Sequence, residues 1–337
     1  MGRTASTIFI VMAIEFEFTV HEGFHFATAF AERFNLIASH DRVVLPDILG
    51  EGFIQEVYLD TGLALCIHAY ELKQTFTLKR LSSLSADMLT FKFDCRRSAV
   101  NVKGNTNEPL FSGANGCEVE FGTSNLFAEL TIPPEQTINF LVVTTTRKTL
   151  LGLLHFGQEG RFIETMLNSG RSFVLHEVMS QEMERTLKQL SHIDENTKLA
   201  TLLYKTKAQE LIYLLFVKLL TRNTPTLIPV DQADVKKIYD IRSFILSNLG
   251  VTPQLPQLAV SIGMSLTRMK QLFRQIFGDS IYNYYQTARM NEAAHLLSYL
   301  TVSETGHKLG FSNLSHFGRV FEKHFLMKPK RYKDSLN

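Results

Sequence analysis

Two stretches near the C-terminus of this 337-residue chain repeat one another: LAVSIGMSLTRMKQLFRQIFG from Leu258 and TGHKLGFSNLSHFGRVFEKHF from Thr305. Ala259, Ile262 and Gly263 align with Gly306, Leu309 and Gly310 at an offset of 47 residues, whereas Met269, Phe273 and Phe277 align with Phe317, Phe321 and Phe325 at an offset of 48. The inserted residue therefore falls in a turn. Each copy predicts a short helix, a glycine-containing turn, a serine able to cap, and a longer helix, which is the sequence form of a helix-turn-helix.

Periodicity assigns the faces of each longer helix. Met269, Leu272, Phe273, Ile276 and Phe277 recur at i, i+3, i+4, i+7 and i+8 and form a core stripe. Leu266, Thr267, Lys270, Gln271 and Arg274 then point outward. In the second copy Phe317, Val320, Phe321 and Phe325 hold the core, while Leu314, Ser315, Gly318, Arg319 and Glu322 face away. One such polar face alone is ordinary solvated surface; its repetition points to two reading helices. Between the copies, Ser280 to Tyr299 is a helical pattern without Pro or Gly. Its twenty residues would span about 30 Å, near the roughly 34 Å between successive major-groove faces of B-DNA.

These residues carry a resemblance. The segment from about Val235 to Lys333 resembles the DNA-binding domain of AraC/XylS-type transcription regulators. The shared motifs are Leu258-Ala259, Gly263 to Ser265, Leu272-Phe273, Phe277-Gly278, Ala288 to Met290, Ala294 with Leu296-Leu297, Gly310 to Asn313, Ser315 to Phe317, Arg319 to Phe325 and Lys328 to Tyr332. The resemblance implies seven helices carrying two helix-turn-helix units joined by a long helix, and double-stranded DNA as partner. Three residues depart from the pattern. Thr305 and Gly306 stand where the family usually has Ile and Ala, and Gly costs up to about 1 kcal/mol against Ala in a helix. Leu326 stands where a Gly commonly closes the second reading helix, and a left-handed cap costs a non-Gly residue about 1–2 kcal/mol.

Charge separates the chain into two parts. From Val235 onward there are 14 Lys and Arg against 6 Asp and Glu, a net +8; the preceding residues hold 21 against 27, a net −6. A basic part beside an acidic one fits a nucleic-acid module attached to a domain with another task. Cys66, Cys95 and Cys117 are odd in number and follow no metal-ligand spacing, so reduced buried thiols are expected. The run from Thr7 to Ile14 is short, has only Arg3 before it and lacks a cleavage site, which argues against export. No stretch approaches the roughly 20 apolar residues of a membrane helix, so a cytoplasmic protein with no membrane partner is expected. Gly2 to Thr7 is small, polar and aperiodic, and Met12 is a candidate start of the folded part, with residues 1–11 dispensable.

The N-terminal part reads differently. Glu15 to Val20 alternates with period two, as a half-buried strand does, and Phe26, Phe30, Phe34 and Ile37 follow at helical spacing. From Gly50 to Leu153 short apolar runs broken by turns predict an antiparallel sandwich or small barrel. This region resembles the N-terminal part of regulators related to the siderophore-responsive pyochelin receptor regulator, which makes siderophore-like molecules candidate effectors. A phenylalanine-rich interior is the default shape of a small-molecule site, although no effector-binding residue can be named. Arg96 and Arg97 are adjacent, so at most one faces a cavity; an exposed pair at a strand end is the plainer reading. His21 and His25, with His68 and His155 elsewhere, lack supporting ligands, and neither a metal site nor a cofactor is expected. No Ser-His-Asp, paired-carboxylate or phosphate-loop motif is present.

Arg161 to Ser169, Phe173 to Ser191 and Thr197 to Leu220 read as helices. On the last, Leu199, Leu202, Leu203, Ala208, Leu211, Leu214, Leu215 and Leu219 form a stripe that either packs on the β-rich part or, as the resemblance implies, makes a dimer face. Thr221 to Asp234 reads as a linker.

The expected architecture is α+β: a β-rich barrel or sandwich effector domain over 1–157, a helical dimerisation segment over 158–220, a linker over 221–234 and an all-α domain with two helix-turn-helix units over 235–337. The expected function is a non-enzymatic, ligand-responsive transcription regulator, a homodimer that engages RNA polymerase if it activates. Thr267, Lys270 and Gln271 are assigned to base edges in one major groove, and Leu314, Ser315 and Arg319 to the next. Ser265, Ser312, Asn313, Arg289, Lys330 and Arg331 are assigned to phosphates. The alternative is a cupin-type metal-dependent enzyme fused to a DNA-binding tail, which would require stoichiometric metal and at least three ligands.

Overall fold

A computed structural model describes residues 14–39, 41–95, 117–154, 157, 160–194, 197–222 and 228–336. In chain order the elements are β1 (Ile14–Phe18), α1 (Phe26–Phe34), β2 (Ala38–Ser39), β3 (Arg42–Val44), β4 (Gly50–Asp60), β5 (Leu63–Leu72), β6 (Phe76–Arg80), β7 (Met88–Asp94), β8 (Glu118–Thr123), β9 (Ala128–Ile132), β10 (Thr137–Thr146), α2 (Arg147–Leu153), α3 (Arg161–Asn168), β11 (Val174–Val178), α4 (Gln181–Ser191), α5 (Ala200–Leu220) and α6 (Gln232–Ser247). Six further helices complete it: α7 (Leu255–Ser261), α8 (Leu266–Phe277), α9 (Ile281–Leu296), α10 (Val302–Lys308), α11 (Leu314–Phe325) and α12 (Pro329–Asp334). It is an α+β protein with a β-rich N-terminal region and a helical C-terminal region.

An eight-stranded sheet in the order β11-β8-β7-β10-β5-β4-β3-β2 forms the central layer. Alternation along its strands sorts side chains into three cores. Leu89, Phe91 and Phe93 of β7, Val119 and Phe121 of β8, and Leu65 and Ile67 of β5 face one side, where α5 covers them with Ala208, Leu211, Ile212, Leu215, Phe216 and Leu219. On the opposite side, Ile54, Cys66, Tyr70, Ile138 and Phe140 meet α1 and the three-stranded sheet β1-β6-β9. At the other end of that same side, Val174 of β11 and Leu126 join the core of the C-terminal helices. One sheet therefore carries the N-terminal core on part of a face and the helical region on the rest.

Several expectations change here. The pattern over Phe173 to Ser191 is not one helix: Val174–Val178 is an edge strand paired with β8, and the helix begins only after the Ser180 cap. The apolar run was too short for periodicity to separate the two states. The α5 stripe also divides, because Ala208, Leu211, Leu215 and Leu219 are buried while Leu199, Leu202 and Leu203 are exposed beside Tyr213 and Val217. Cys95 and Cys117 are joined as a disulfide, whereas Cys66 is free and buried. The pairing arises because β7 and β8 run antiparallel with Asp94 opposite Glu118, which sets the next residues, Cys95 and Cys117, across from each other. The expectation of three reduced thiols fails for that pair. Residues 1–11, Arg96, Arg97 and His155 lie outside the described residues.

His21 and His25 do not form a site: His25 precedes α1 and packs edge-on to Tyr58. Among the described residues no group of three or more His, Cys, Asp or Glu is placed to hold a metal ion. His68 is buried between Phe26 and Phe140, and burial pushes its imidazole down to about 3. Glu56, opposite Cys66 across the β4–β5 ladder, accepts from the Ala27 amide at the start of α1. Burial, with Asp41 nearby, pushes its carboxyl up to about 7 against the opposing amide bonds. A carboxyl raised in the folded state stabilises fully below its unfolded value, and that stability is lost as pH rises towards 7. Glu56→Gln keeps an acceptor for Ala27 and removes the titration. The variant is therefore expected to gain on the order of 2 kcal/mol at pH 8 and little at pH 4.5. Thermal unfolding at the two pH values reads this; equal gains at both would refute it.

Candidate nucleic-acid interface

In the first repeat Gly263 takes a left-handed backbone (φ +60°) between α7 and α8, and Ser265 caps α8 by accepting from the Arg268 amide. Met269, Leu272, Phe273, Ile276 and Phe277 are buried, so Thr267, Lys270, Gln271 and Arg274 are left on the solvent side. Gly278 closes the helix at φ +78°. Two neighbours of this face are structural. Arg268 pairs with Asp234 in the first turn of α6, and the buried Gln275 amide bonds both the Ile228 nitrogen (2.8 Å) and its carbonyl (3.1 Å).

The second repeat is built on the same lines with different caps. Thr301 and Glu304 cap α10 reciprocally, and Asn313 caps α11 by accepting from the Ser315 and His316 amides. Gly310 (φ +73°) comes so close to the Gly250 carbonyl that a Cβ would lie 2.0 Å from its oxygen. Phe317 and Phe321 are buried; Ser315, Arg319 and Glu322 are exposed. The site of Gly306, which the family pattern fills with Ala, is occupied by a neighbour: a Cβ there would meet Leu314 Cδ2 at 2.7 Å. The missing methyl lets Leu314 fold into the crease between α10 and α11 and leaves it 37% exposed.

The residues assigned to phosphates separate into two groups. Ser265, Ser312 and Asn313 lie exposed at the helix N-termini, and Lys330 and Arg331 lie exposed on α12. Arg289 does not join them. Its side chain turns inward from α9, donates through Nε to the Leu309 carbonyl at 2.9 Å and lies over the Phe311 ring with Cζ 3.6 Å from its centre. At 6% exposure it is a brace between α9 and the turn of the second repeat, so its assignment to phosphate is corrected. The Ala288 to Met290 motif gave residue types without their orientation on α9. That helix is also shorter than its pattern, ending at Leu296 where the chain turns toward the Thr301 cap.

A further set of residues, invisible as a motif, joins the two regions. Arg242 of α6 donates through Nη2 to both Glu118 oxygens (2.6 and 2.5 Å) and through Nε to the Tyr284 hydroxyl (2.7 Å). Tyr239, one turn earlier on α6, donates to Glu120 at 3.1 Å and bonds His176, which itself lies 3.3 Å from Glu120. Arg222, after α5, pairs with Glu177 and donates to the carbonyls of His176 and Gln275. Gln232 bonds the Phe127 backbone in both directions. Burial alone would raise the Glu120 carboxyl, yet His176, Arg80 and Lys92 hold it below the usual carboxylate range. Only the alternation of Glu118 and Glu120 with Val119 and Phe121 hinted at this in the sequence, as a charged strand face without a stated partner.

Leu326 ends α11 in the left-handed region (φ 55°, ψ 19°) with 91% of its surface exposed. It therefore carries the strain of the cap and contributes almost no burial. Leu326→Gly is expected to stabilise the chain by about 1 kcal/mol, read as a higher melting temperature. A loss of stability would show that Leu326 packs in solution.

Residues 258–335 match a family described as a helix-turn-helix domain. An uncharacterised HTH-type transcriptional regulator of Pseudoalteromonas carrageenovora is 30% identical over 79 residues, 23% of this chain and 48% of that protein. The chain thus spans about half the length of the curated relative it matches. Among solved structures, an AraC-type DNA-binding domain-containing transcriptional regulator from Chromobacterium violaceum is 24% identical, with 32% of this chain and 96% of that one covered at a TM-score of 0.29. An apo ToxT variant from Vibrio cholerae is 13% identical, with 82% and 99% covered at a TM-score of 0.29.

Proposed function

We propose that this chain, whose C-terminal part is an AraC-type helix-turn-helix domain, is a sequence-specific DNA-binding transcription regulator that acts in the cytoplasm. The observation that carries the reading is the pair of capped helices, α8 and α11, each burying an aromatic stripe and leaving polar side chains exposed in the basic part of the chain. Thr267, Lys270 and Gln271 read one major groove. Ser315 and Arg319 read the next, with Arg319 donating bidentately to guanine and Gln271 pairing with adenine. Leu314 reaches a thymine methyl only by leaving the crease beside Gly306. Ser265, Ser312, Asn313, Lys330 and Arg331 bind phosphates and set the register.

The proposed division is a β-rich effector domain over 1–157, a helical segment over 158–220, a connection over 221–234 and a double helix-turn-helix domain over 235–337. A small-molecule effector acting through the β-rich part belongs to the same proposal and rests on the family resemblance. Leu199 at the start of α5, with Leu202, Leu203, Tyr213 and Val217 along it, are exposed apolar side chains that support a homodimer through that helix. RNA polymerase is a partner if the regulator activates. The metal-enzyme alternative lacks a ligand set among the described residues, and no described helix is long and apolar enough to cross a membrane.

Selection of a preferred duplex from a random pool tests the function, followed by two variants. Arg319→Ala is expected to cost about 1–3 kcal/mol on the selected site and to relax one base position. Lys330→Ala is expected to weaken all duplexes alike and to lower the salt slope by about 1. Equal loss on specific and nonspecific DNA for Arg319→Ala would remove it from the reading set.

A further inference from the structure

The disulfide and the seam between the two regions meet at adjacent residues. Cys117 is bonded to Cys95 and directly precedes Glu118, which receives Arg242 from α6. The Cys117 carbonyl accepts from Met179 at 2.7 Å, just beyond the end of β11. The crosslink thus ties the end of the β7–β8 ladder at which the chain leaves β7 and enters β8, where Asp94 pairs with Glu118, and β11 is fastened to the same point. Both strands supply the seam: Glu118 and Glu120 from β8, His176 and Glu177 from β11. Both cysteines are half-buried, so small thiols can reach them, whereas Cys66 is buried and remote in the sheet.

The location of such a pair matters. A protein that binds DNA in the cytoplasm works where thiols are held reduced, and a disulfide there is most often transient and redox-sensing rather than structural. Strand ends also fray most easily, because the last ladder bonds have neighbours on one side only. Removing the crosslink releases the residue next to Glu118. The reading faces of α8 and α11 stay exposed in the docked arrangement, so docking does not cover them; it fixes α6, the end of α8 and the start of α9 on the sheet edge.

We propose that Cys95 and Cys117 form a reversible thiol–disulfide switch that controls how firmly the DNA-binding part is held on the β-rich part through Glu118 and Arg242. This inference rests on the DNA-binding reading above. The oxidant is a low-molecular-weight disulfide. One protein thiolate attacks it, forming a mixed disulfide and expelling one small thiol. The second protein thiolate then attacks the mixed disulfide at the protein sulfur, closes the Cys95–Cys117 bond and expels the second small thiol. Two protein thiols are oxidised, one small disulfide is reduced, and the two protons lost by the protein thiols end on the two small thiols. The oxidised chain holds a preformed reading surface and binds DNA more tightly; the reduced chain pays for docking on binding.

The test uses the full chain equilibrated with either oxidised glutathione or dithiothreitol, and a duplex selected from a random pool. Thiol alkylation under denaturing conditions should find one free thiol in the oxidised chain and three in the reduced chain. The oxidised chain should bind the duplex at least about fivefold more tightly, and amide exchange of α6 should slow on oxidation. Cys95→Ser/Cys117→Ser should behave as the reduced chain in both buffers, and Cys66→Ala should switch normally. Arg242→Met should lose the redox dependence of DNA binding while its thiols still oxidise. Three free thiols under oxidant, equal α6 exchange in the two states, or a redox effect that survives in the double serine variant would each overturn the switch. Equal or weaker DNA binding by the oxidised chain would do the same. Failure to bind any duplex, with α6 exchange still redox-dependent, would instead count against the DNA-binding reading and leave the switch supported.

Discussion

Arg242 meeting Glu118 is the contact on which the relation between the two regions depends. The guanidinium is 2% exposed as a residue, so its charge has left water and must be met inside the protein. Two carboxylate oxygens, the Tyr284 hydroxyl and the face of Phe277 meet it. A buried ion pair of this kind adds little net stability against an apolar substitute, but removing one partner strands the other. Three residues of α6 are met across the seam, Arg242 by Glu118, Tyr239 by Glu120 and Gln232 by the Phe127 backbone. The seam reaches the first repeat through Arg222, which holds the carbonyls of Gln275 and Ile276 near the end of α8. The second repeat is linked to it through α9, where Arg289 braces the Leu309 turn.

The second repeat shows what local sequence costs and compensates. Gly306 weakens a short helix by its backbone freedom, yet its bare α-carbon lets Leu314 close the crease. Leu326 ends α11 in a conformation better suited to glycine. The first repeat has its glycine, Gly278, at that point, and it is also the repeat fastened to the β-rich region. α8 and α11 bury matching residues at Met269/Phe317 and Phe273/Phe321, whereas Leu272, Ile276 and Phe277 are buried where Val320, His324 and Phe325 are not.

Legibility in the sequence followed the range of the physical signal. The repeat, its buried Phe and Met positions and the cap at Ser265 depend on neighbours within a few residues and could be read directly, whereas in the second copy Asn313 takes the capping place expected of a serine. So could β1 from Ile14 and most strands between Gly50 and Thr146, whose alternation registers a buried and an exposed face. Val174–Val178 escaped because five residues between helical patterns carry too little periodicity. Arg289 was misplaced because a motif states which residue is present and not which way α9 turns it. The Cys95–Cys117 pair and every seam contact depend on strand register or on residues 40 to 120 positions apart, roughly the span from Arg222–Glu177 to Arg242–Glu118. No local pattern encodes those distances.

The claim that the seam fixes the two regions together is tested most directly by a double-mutant cycle on Glu118 and Arg242, with unfolding free energies of the full chain measured for Glu118→Gln, Arg242→Met and the pair. Glu118→Gln strands the buried Arg242 and is expected to cost about 3 kcal/mol, whereas Arg242→Met leaves a partly exposed Glu118 and is expected to cost less, about 1–2 kcal/mol. The double variant is expected to lose less than the sum, with a coupling of about 1–3 kcal/mol. Additivity within about 0.5 kcal/mol would mean that Arg242 and Glu118 do not meet in solution, and the docked arrangement would fall with them.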